Sequence, residues 1–173
     1  MVQLIFTGIR YRKDEQTEIS LLTTQVRKKD GDDWKNLRRL PGYIKRSIKL
    51  PLILHADDVN VVKWWVDASY ATHDDMRGHT VGTMSMGKNG RGSIISISKK
   101  QKPNTKILTE VECIGADDTI PQMLWTRYFL EAQRYGIDEN ILYQDNMSAM
   151  LFGKSGKKSS TKNTKNINVR YYS

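Results

Sequence analysis

The sequence predicts an α/β domain in which helices flank a mixed sheet. An apolar and aromatic stretch at 61–70 carries large side chains on both alternating faces, which is typical of a central strand with helices on both sides. An Asn-Gly pair at 89–90 separates two further β-like runs, and such a pair is a strong hairpin signal. After Pro103 the apolar residues recur at helical spacing instead.

Composition limits the kinds of protein that this chain can be. Its 173 residues suit one domain, alone or with an appendage. The net charge of +9 predicts an anionic partner, nucleic acid first, although a basic surface can also serve solubility alone. Cys113 is the only cysteine, which excludes an internal disulfide, and no apolar run approaches the roughly 20 residues of a membrane span. The N-terminus lacks the apolar core of a signal peptide, so we expect an intracellular protein that is not secreted.

Helices are predicted ahead of the sheet, while residues 1–13 show no clear pattern. A first helix over 14–27 is marked by apolar residues at helical spacing, namely Ile19, Leu22 and Val26. Asp32 or Asp33 should cap a second helix, and Pro41 should kink or shorten it. Its apolar face comprises Trp34, Leu37, Leu40 and Ile44. The opposite face, which we interpret as solvated in slight preference to a nucleic-acid contact, comprises Lys35, Arg38, Arg39, Lys45 and Arg46.

Four strands are predicted. A linker rich in turn residues, 50–60, leads to the strand at 61–70, and the hairpin follows as strands over 79–87 and 92–99. A short strand over 141–145 comes much later in the chain. The long gap between the hairpin and the last strand leaves room for helices.

Helical periodicity predicts two helices in that gap. The first should run from about 107 to 119. The second should begin at Pro121 and end at Gly136, as residue preferences at helix ends suggest. The side chains expected to point inward from it are Leu124, Trp125, Tyr128, Phe129 and Ala132. A short helix over 146–152 follows the last strand.

From Gly153 onward the composition shifts to a polar, basic loop. A flexible basic loop suits contact with phosphates, mostly without sequence specificity, and a plain disordered linker is a comparable alternative. The candidate nucleic-acid-binding residues are Lys154, Lys157, Lys158, Lys162 and Lys165.

Two aspartates and one of two glutamates stand where a reaction could use them. Asp67 ends the first strand, Asp145 ends the last one, and Glu110 and Glu112 both lie in the helix between them. Converging carboxylates without His or Cys suit Mg²⁺ or Mn²⁺, which prefer oxygen ligands. For Asp67 alone, a strand-end residue that faces water or caps a turn is an equally good interpretation.

Five stretches of the chain resemble the RNase H region of copia-type LTR-retrotransposon polyproteins. They are KWWVDASYA (63–71), RGHTVG (77–82), KQKPNTK (100–106), TEVECIGA (109–116) and YQDNMSA (143–149). Upstream, RYRKD (10–14) and DDWKNLRR (32–39) look like the tail of the reverse transcriptase in the same polyproteins. The resemblance implies an RNase H-like domain over 57–173, preceded by a helical remnant over 1–56.

The same resemblance implies a site and an activity. The family's metal ligands map onto Asp67, Glu112 and Asp145, since the family's Glu precedes a run of small residues such as 113–116, and Glu110 is then a surface acid. The implied reaction is endonucleolytic hydrolysis of the RNA strand of an RNA–DNA hybrid with two Mg²⁺ or Mn²⁺ ions, Asp67 contacting both. The implied location is the cytoplasm, a virus-like particle or the nucleus; the oligomeric state is not implied.

The chain also departs from the family pattern. Domains of this family have a further strand and a last helix bearing a fourth acid, whereas this sequence stops at Ser173. Asn166 replaces a family His after the basic run. We therefore expect weak or no cleavage by the chain as given, with a non-catalytic basic nucleic-acid-binding remnant of a decayed element as the alternative function.

Other candidate residues have ordinary structural interpretations. The three histidines are not at ligand spacing with Cys113, so a zinc site is not expected. His79 opens a strand and should be structural. The tryptophans expected in the core, and not on a base-stacking surface, are Trp64, Trp65 and Trp125.

Overall fold

The computed structural model describes residues 2–26 and 30–155, with side chains to residue 153. The N-terminal part holds α1 (Val2–Arg10), a 3-10 turn (Lys13–Glu15), α2 (Gln16–Thr24) and α3 (Gly31–Arg46). The remainder holds β1 (Val61–Ser69), β2 (His79–Met86), β3 (Ile95–Lys100), α4 (Leu108–Ala132), β4 (Glu139–Tyr143) and α5 (Met147–Ser155). No helix among these residues is both long enough and apolar enough to cross a membrane.

The four strands form one mixed sheet in the order β3-β2-β1-β4. β2 pairs antiparallel with β3, as the Asn-Gly hairpin predicts, and it also pairs antiparallel with β1. β4 pairs parallel with β1, with Trp64 opposite Leu142 and Trp65 opposite Tyr143. The predicted α/β class and the central place of β1 are confirmed. The parallel pairing directs the carboxyl ends of β1 and β4 to the same end of the sheet.

One face of the sheet carries the apolar core and is covered by α4. Val62, Trp64, Met84 and Ile137 are buried together there. Gly115 allows α4 to approach β1 closely, because an added Cβ would lie only 3.0 Å from the Cβ of Ala68. This close approach determines how near the acids of α4 lie to those of β1.

The other face is covered only in part, contrary to the prediction of helices on both sides of β1. α2 lies over β3, where Gln16 Nε2 donates to the carbonyl of Ser96 (2.9 Å) and Ser20 Oγ donates to that of Ser98 (2.8 Å). Trp65, on the same face of β1, is 41 % exposed. Among the described residues, the part of this face formed by β1 and β4 is therefore open.

α3 is capped two or three residues earlier than predicted and continues through Pro41. Asp30 is the N-cap, its side chain accepts from the backbone of Asp32 and Asp33, and Asp33 completes a capping box. Pro41 lies inside the helix and is exposed, so the carbonyl that loses its partner can be hydrated. The helix continues to Arg46, so the predicted shortening at Pro41 is wrong.

α4 is a single helix through Pro121, where the sequence predicts two. The side chains predicted to point inward are exposed: Leu124, Trp125, Tyr128, Phe129 and Ala132. The stripe that faces the core instead includes Thr119, Met123, Thr126 and Leu130. Thr119 and Thr126 can be buried because each hydroxyl donates to a carbonyl four residues earlier, at 2.8 Å in both cases. The stripe of α4 that faces the core is therefore less apolar than the stripe that the sequence predicts.

The remaining predicted elements differ only at their ends. Ile19 and Leu22 of α2 are buried as expected, but α2 ends at Thr24 and Val26 is exposed. β4 ends at Tyr143, so Asp145 follows the strand by two residues and does not end it.

Candidate metal centre

Three carboxylates from three elements meet at one end of the sheet. Asp67 belongs to β1, Glu112 to α4, and Asp145 to the segment between β4 and α5. One carboxylate oxygen from each lies within 4.8 Å of the others. Parallel pairing of β1 with β4 brings the two aspartates to the same edge, and the contact at Gly115 brings α4 to it. The group can hold a metal ion.

Glu112 is the buried member of the group, at 5 % exposure, whereas Asp67 and Asp145 are exposed. Burial raises the pKa of the Glu112 carboxyl, and repulsion from Asp67 and Asp145 raises it further. A hydrogen bond from the Gln144 side chain and one from the backbone at Ala68 act in the opposite direction. A cation placed among the three groups would relieve both the burial cost and the repulsion.

Gln144 is part of this site although the sequence does not single it out. Its Nε2 donates to Glu112 Oε2 (3.1 Å), and its Oε1 accepts from the backbone N–H of Asn146 (3.0 Å). The Asn146 side chain in turn accepts from the backbone of Ala149 and caps α5. The backbone N–H of Asn146 can donate only to the oxygen of the Gln144 side chain. The amide nitrogen of Gln144 therefore faces Glu112 and donates to it. The only sequence signal for this contact of Gln144 with Glu112 is that Gln144 precedes Asp145.

Asp67 and Asp145 line a cleft of about 460 Å³. Two aromatic rings line it, Trp65 and Tyr143, stacked with centroids 5.3 Å apart and planes inclined by 15°. The other residues lining the cleft are Val66, Asp67, Val81, Thr83, Gln144 and Asp145. Trp65 and Tyr143 are 41 % and 40 % exposed, so the prediction that Trp65 belongs to the core is wrong; Trp64 is fully buried as predicted.

The donor atoms fit a hard divalent cation. The three groups offer only carboxylate oxygens, the ligands that Mg²⁺ and Mn²⁺ prefer. Cys113 is adjacent in sequence to Glu112, but it packs with Ala149 and Phe152, and burial raises its pKa to about 11. Its thiol therefore stays protonated at neutral pH and is a poor metal ligand.

Glu110 does not lie on the surface, where we expected it. It is buried, and Oε2 accepts from the backbone N–H of Lys106 (3.4 Å), just before α4. It is not a member of the three-carboxylate group. The pattern places Glu110 and Glu112 on opposite flanks of the helix, and only the packing of α4 on the sheet distinguishes them.

His73 and His79 belong to a separate buried network. His79 Nε2 and Ser98 Oγ are hydrogen-bonded at 2.8 Å, and His79 Nδ1 shares a hydrogen bond with His73 Nε2 at 3.1 Å. Burial lowers the pKa of His79 to about 4. The structural interpretation of His79 is confirmed, since its ring joins β2 to β3 and to the loop before β2.

The predicted nucleic-acid-binding residues fall almost wholly beyond the described part of the chain. The backbone of Lys154 belongs to α5. The residues that lie outside the described residues are Lys157, Lys158, Lys162 and Lys165.

Comparison with known proteins adds one finding to this geometry. The chain is 25 % identical over 169 residues, 98 % of its length, to the retrovirus-related Pol polyprotein from transposon TNT 1-94 of Nicotiana tabacum. It spans 12 % of that polyprotein. No protein-family model and no solved structure matches. The similarity supports an origin in a retrotransposon polyprotein.

Proposed function

We propose that residues 57–173 form an RNase H-like nuclease domain from a copia-type retrotransposon polyprotein. The domain hydrolyses the RNA strand of RNA–DNA hybrids with the help of Mg²⁺ or Mn²⁺. The observation that carries this proposal is the meeting of Asp67, Glu112 and Asp145, three carboxylates with oxygens within 4.8 Å of one another. The similarity to a retrotransposon Pol polyprotein supports the assignment.

Each residue has a distinct role in this proposal. Asp67, Glu112 and Asp145 would hold the two divalent ions. When bound, the ions neutralise charge on the phosphodiester and activate water. Gln144 fixes the orientation of the Glu112 carboxylate, and the exposed aspartates face the cleft where the nucleic acid lies. An RNA–DNA hybrid is recognised through its backbone and 2′-hydroxyl groups and not by base reading.

Residues 1–56 are the helical tail of a reverse transcriptase in this proposal. The described part of this segment packs on the sheet through the bonds from Gln16 to Ser96 and from Ser20 to Ser98. It would therefore remain attached to the nuclease domain. The proposed setting is inside the cell, where the element's RNA is copied into DNA.

Cleavage of a labelled RNA–DNA hybrid tests the proposal. Cleavage of the RNA strand by the 173-residue chain, which we expect to be weak, should require Mg²⁺ and stop in EDTA. Asp67→Asn keeps the side-chain shape but removes its charge, so it should lower the rate at least about 100-fold. Asp138→Asn, an exposed aspartate outside the site, is the control and should leave the rate unchanged. Cleavage that persists in EDTA or in Asp67→Asn would contradict the proposal.

A non-catalytic nucleic-acid-binding protein is the second candidate. The net charge of +9 favours it, as does the basic face of α3, whose five cationic residues are all exposed: Lys35, Arg38, Arg39, Lys45 and Arg46. Binding through phosphates should weaken steeply with salt, with a log–log slope of about −0.9 per neutralised phosphate. Salt-sensitive binding of the hybrid by a folded protein that does not cleave it would favour this candidate.

A further inference from the structure

We infer that the open sheet face beside the three acids is a subsite for an unpaired nucleobase, which stacks on the rings of Trp65 and Tyr143. This inference rests on the proposed function, because a phosphodiester at the acids would place a neighbouring nucleotide in the same cleft. Recognition of a duplex through its backbone does not require such a base-binding subsite. The protein should favour nucleic acid with an unpaired nucleotide next to the cleaved bond.

The two rings form a ready stacking surface. They lie side by side because Trp65 and Tyr143 are partners across the parallel pair β1 and β4. Their centroids are 5.3 Å apart and their planes nearly parallel, at 15°. A planar base in the cleft can stack on these rings, and it can enter from the side of β4, the edge strand of the described sheet. Stacking of a base on an exposed aromatic ring contributes about 1–3 kcal/mol.

The cleft has the size and lining that a nucleotide needs. A volume of about 460 Å³ lies within the range of ligand sites, roughly 300–1,000 Å³. Its floor beside Trp65 is formed by Val81 and Thr83, and its far end by Asp67 and Asp145. A nucleotide can thus place its base on the aromatic end and its phosphate at the acidic end, where divalent ions would balance the charge.

A cation completes the arrangement at the opposite end of β1. Lys63 lies on the same face as Trp65 and Asp67, because residues two apart along a strand share a face. Its amino group donates to the carbonyl of Lys88 in the hairpin and stays near the protein surface. Trp65 is therefore placed between a metal-binding carboxylate and an ammonium group. The order of ammonium group, aromatic ring and carboxylate along β1 suits a nucleic acid that has phosphates on both sides of a stacked base.

The affinities for adenosine 5′-monophosphate and for ribose 5-phosphate differ only by the contribution of the base, so comparing them measures that contribution. Titration calorimetry with the full chain in Mg²⁺ should show tighter binding of adenosine 5′-monophosphate by roughly 5- to 150-fold, the equivalent of about 1–3 kcal/mol. Trp65→Ala should abolish this difference and leave the affinity for ribose 5-phosphate unchanged. Trp65→Phe should retain part of it. Tyr143→Ala provides a second truncation if Trp65→Ala does not fold.

A matched control exists on α4. Trp125 and Phe129 are also stacked and exposed, with centroids 5.2 Å apart, but they do not line the cleft. Trp125→Ala should leave the preference for the base unchanged. Equal affinity of the wild-type protein for the two ligands would overturn the inference, as would an equal loss in the Trp125 and Trp65 variants. A Trp65→Ala protein that keeps the preference and melts several degrees lower would also overturn the inference, because Trp65 would then serve packing and not binding.

The failure of this inference can be told from the failure of the proposed function. A protein that cleaves the hybrid but shows no preference for adenosine 5′-monophosphate retains its nuclease assignment and loses the base subsite. A protein that prefers the base but does not cleave in Mg²⁺ loses the nuclease assignment instead. Asp67→Asn should abolish cleavage while keeping the difference between the two ligands, since stacking does not involve that carboxylate.

Discussion

The side-chain amide of Gln144 donates a hydrogen bond to Oε2 of Glu112 across 3.1 Å. The bond joins the segment after β4 to α4, the two elements that carry two of the three acids. The other end of the amide is held by the backbone of Asn146, so Gln144 cannot turn away without losing both contacts. Positioning of this kind outside the ligands themselves strongly affects metal sites.

Replacing Gln144 with methionine should weaken metal binding without unfolding the protein. Methionine has a similar length but cannot donate to Glu112, so that carboxylate loses its fixed orientation. Mg²⁺ or Mn²⁺ affinity should fall by about 10- to 100-fold, as calorimetry or Mn²⁺ electron paramagnetic resonance can measure. Gln133→Met, at an exposed glutamine after α4, is the control. Unchanged metal affinity in Gln144→Met would show that the bond has no part in positioning a ligand.

Glu112 should make the metal-free protein less stable as pH rises. Its pKa is raised from 4.5, so the folded state keeps a proton that the unfolded state releases, and stability falls as pH rises from about 4.5 toward the folded-state pKa. Glu112→Gln removes this loss, so its stability relative to the wild-type protein should increase with pH over that range. Urea unfolding in EDTA measures the difference. Saturating Mg²⁺ should stabilise only the wild-type protein, and parallel pH profiles without metal would contradict the prediction.

Gly115→Ala should destabilise the protein and loosen the site. The added Cβ meets the Cβ of Ala68 at 3.0 Å and Val66 Cγ2 at 3.5 Å, so α4 must move away from β1. Overpacking of this kind costs about 1–3 kcal/mol, and the movement should also lower metal affinity by displacing Glu112 from Asp67. Chemical unfolding and metal titration measure the two effects.

Gly42→Ala is the matched control for that experiment. Nothing lies within 4 Å of an added Cβ at this exposed position in α3. Alanine is the better helix former by about 1 kcal/mol, so this variant should be as stable as the wild-type protein or more so. A Gly115→Ala protein that behaves like Gly42→Ala would mean that α4 does not approach β1 closely.

The buried histidine pair should make the fold sensitive to acid. The pKa of His79 is lowered from 6.5 to about 4, so between these values the unfolded state binds a proton that the folded state does not. The stability contributed by the neutral ring is complete above about pH 6.5 and is lost as pH falls to about 4, a loss on the order of 3 kcal/mol. His79→Gln should flatten this part of the profile, and His55→Gln, at an exposed histidine, should not. Equal profiles for all three proteins would be evidence against the buried pair.

The positions of the strands along the chain could be predicted because the sequence signals for them are local. β1 is a continuous apolar run, and the hairpin of β2 and β3 is specified by Asn89 and Gly90 between them. The acids were identified from their places beside these strands together with a family resemblance. Whether Glu110 or Glu112 joined the aspartates could not be derived from periodicity, because both flank the apolar arc of one helix.

The remaining features depend on contacts between residues far apart in the chain. Pairing of β4 with β1, and the approach of α4 at Gly115, place Glu112 and not Glu110 beside Asp67. The same packing buries Thr119 and Thr126, leaves Trp125 exposed, and leaves Trp65 beside an open cleft although its side chain is as apolar as that of Trp64. Hydrophobicity is a property of a side chain, whereas burial also requires a neighbouring element to cover it. The sequence therefore predicts the strands and the candidate acids of this chain, and the packing of α4 and β4 against β1 determines which acid lies beside the aspartates and which aromatic rings remain exposed.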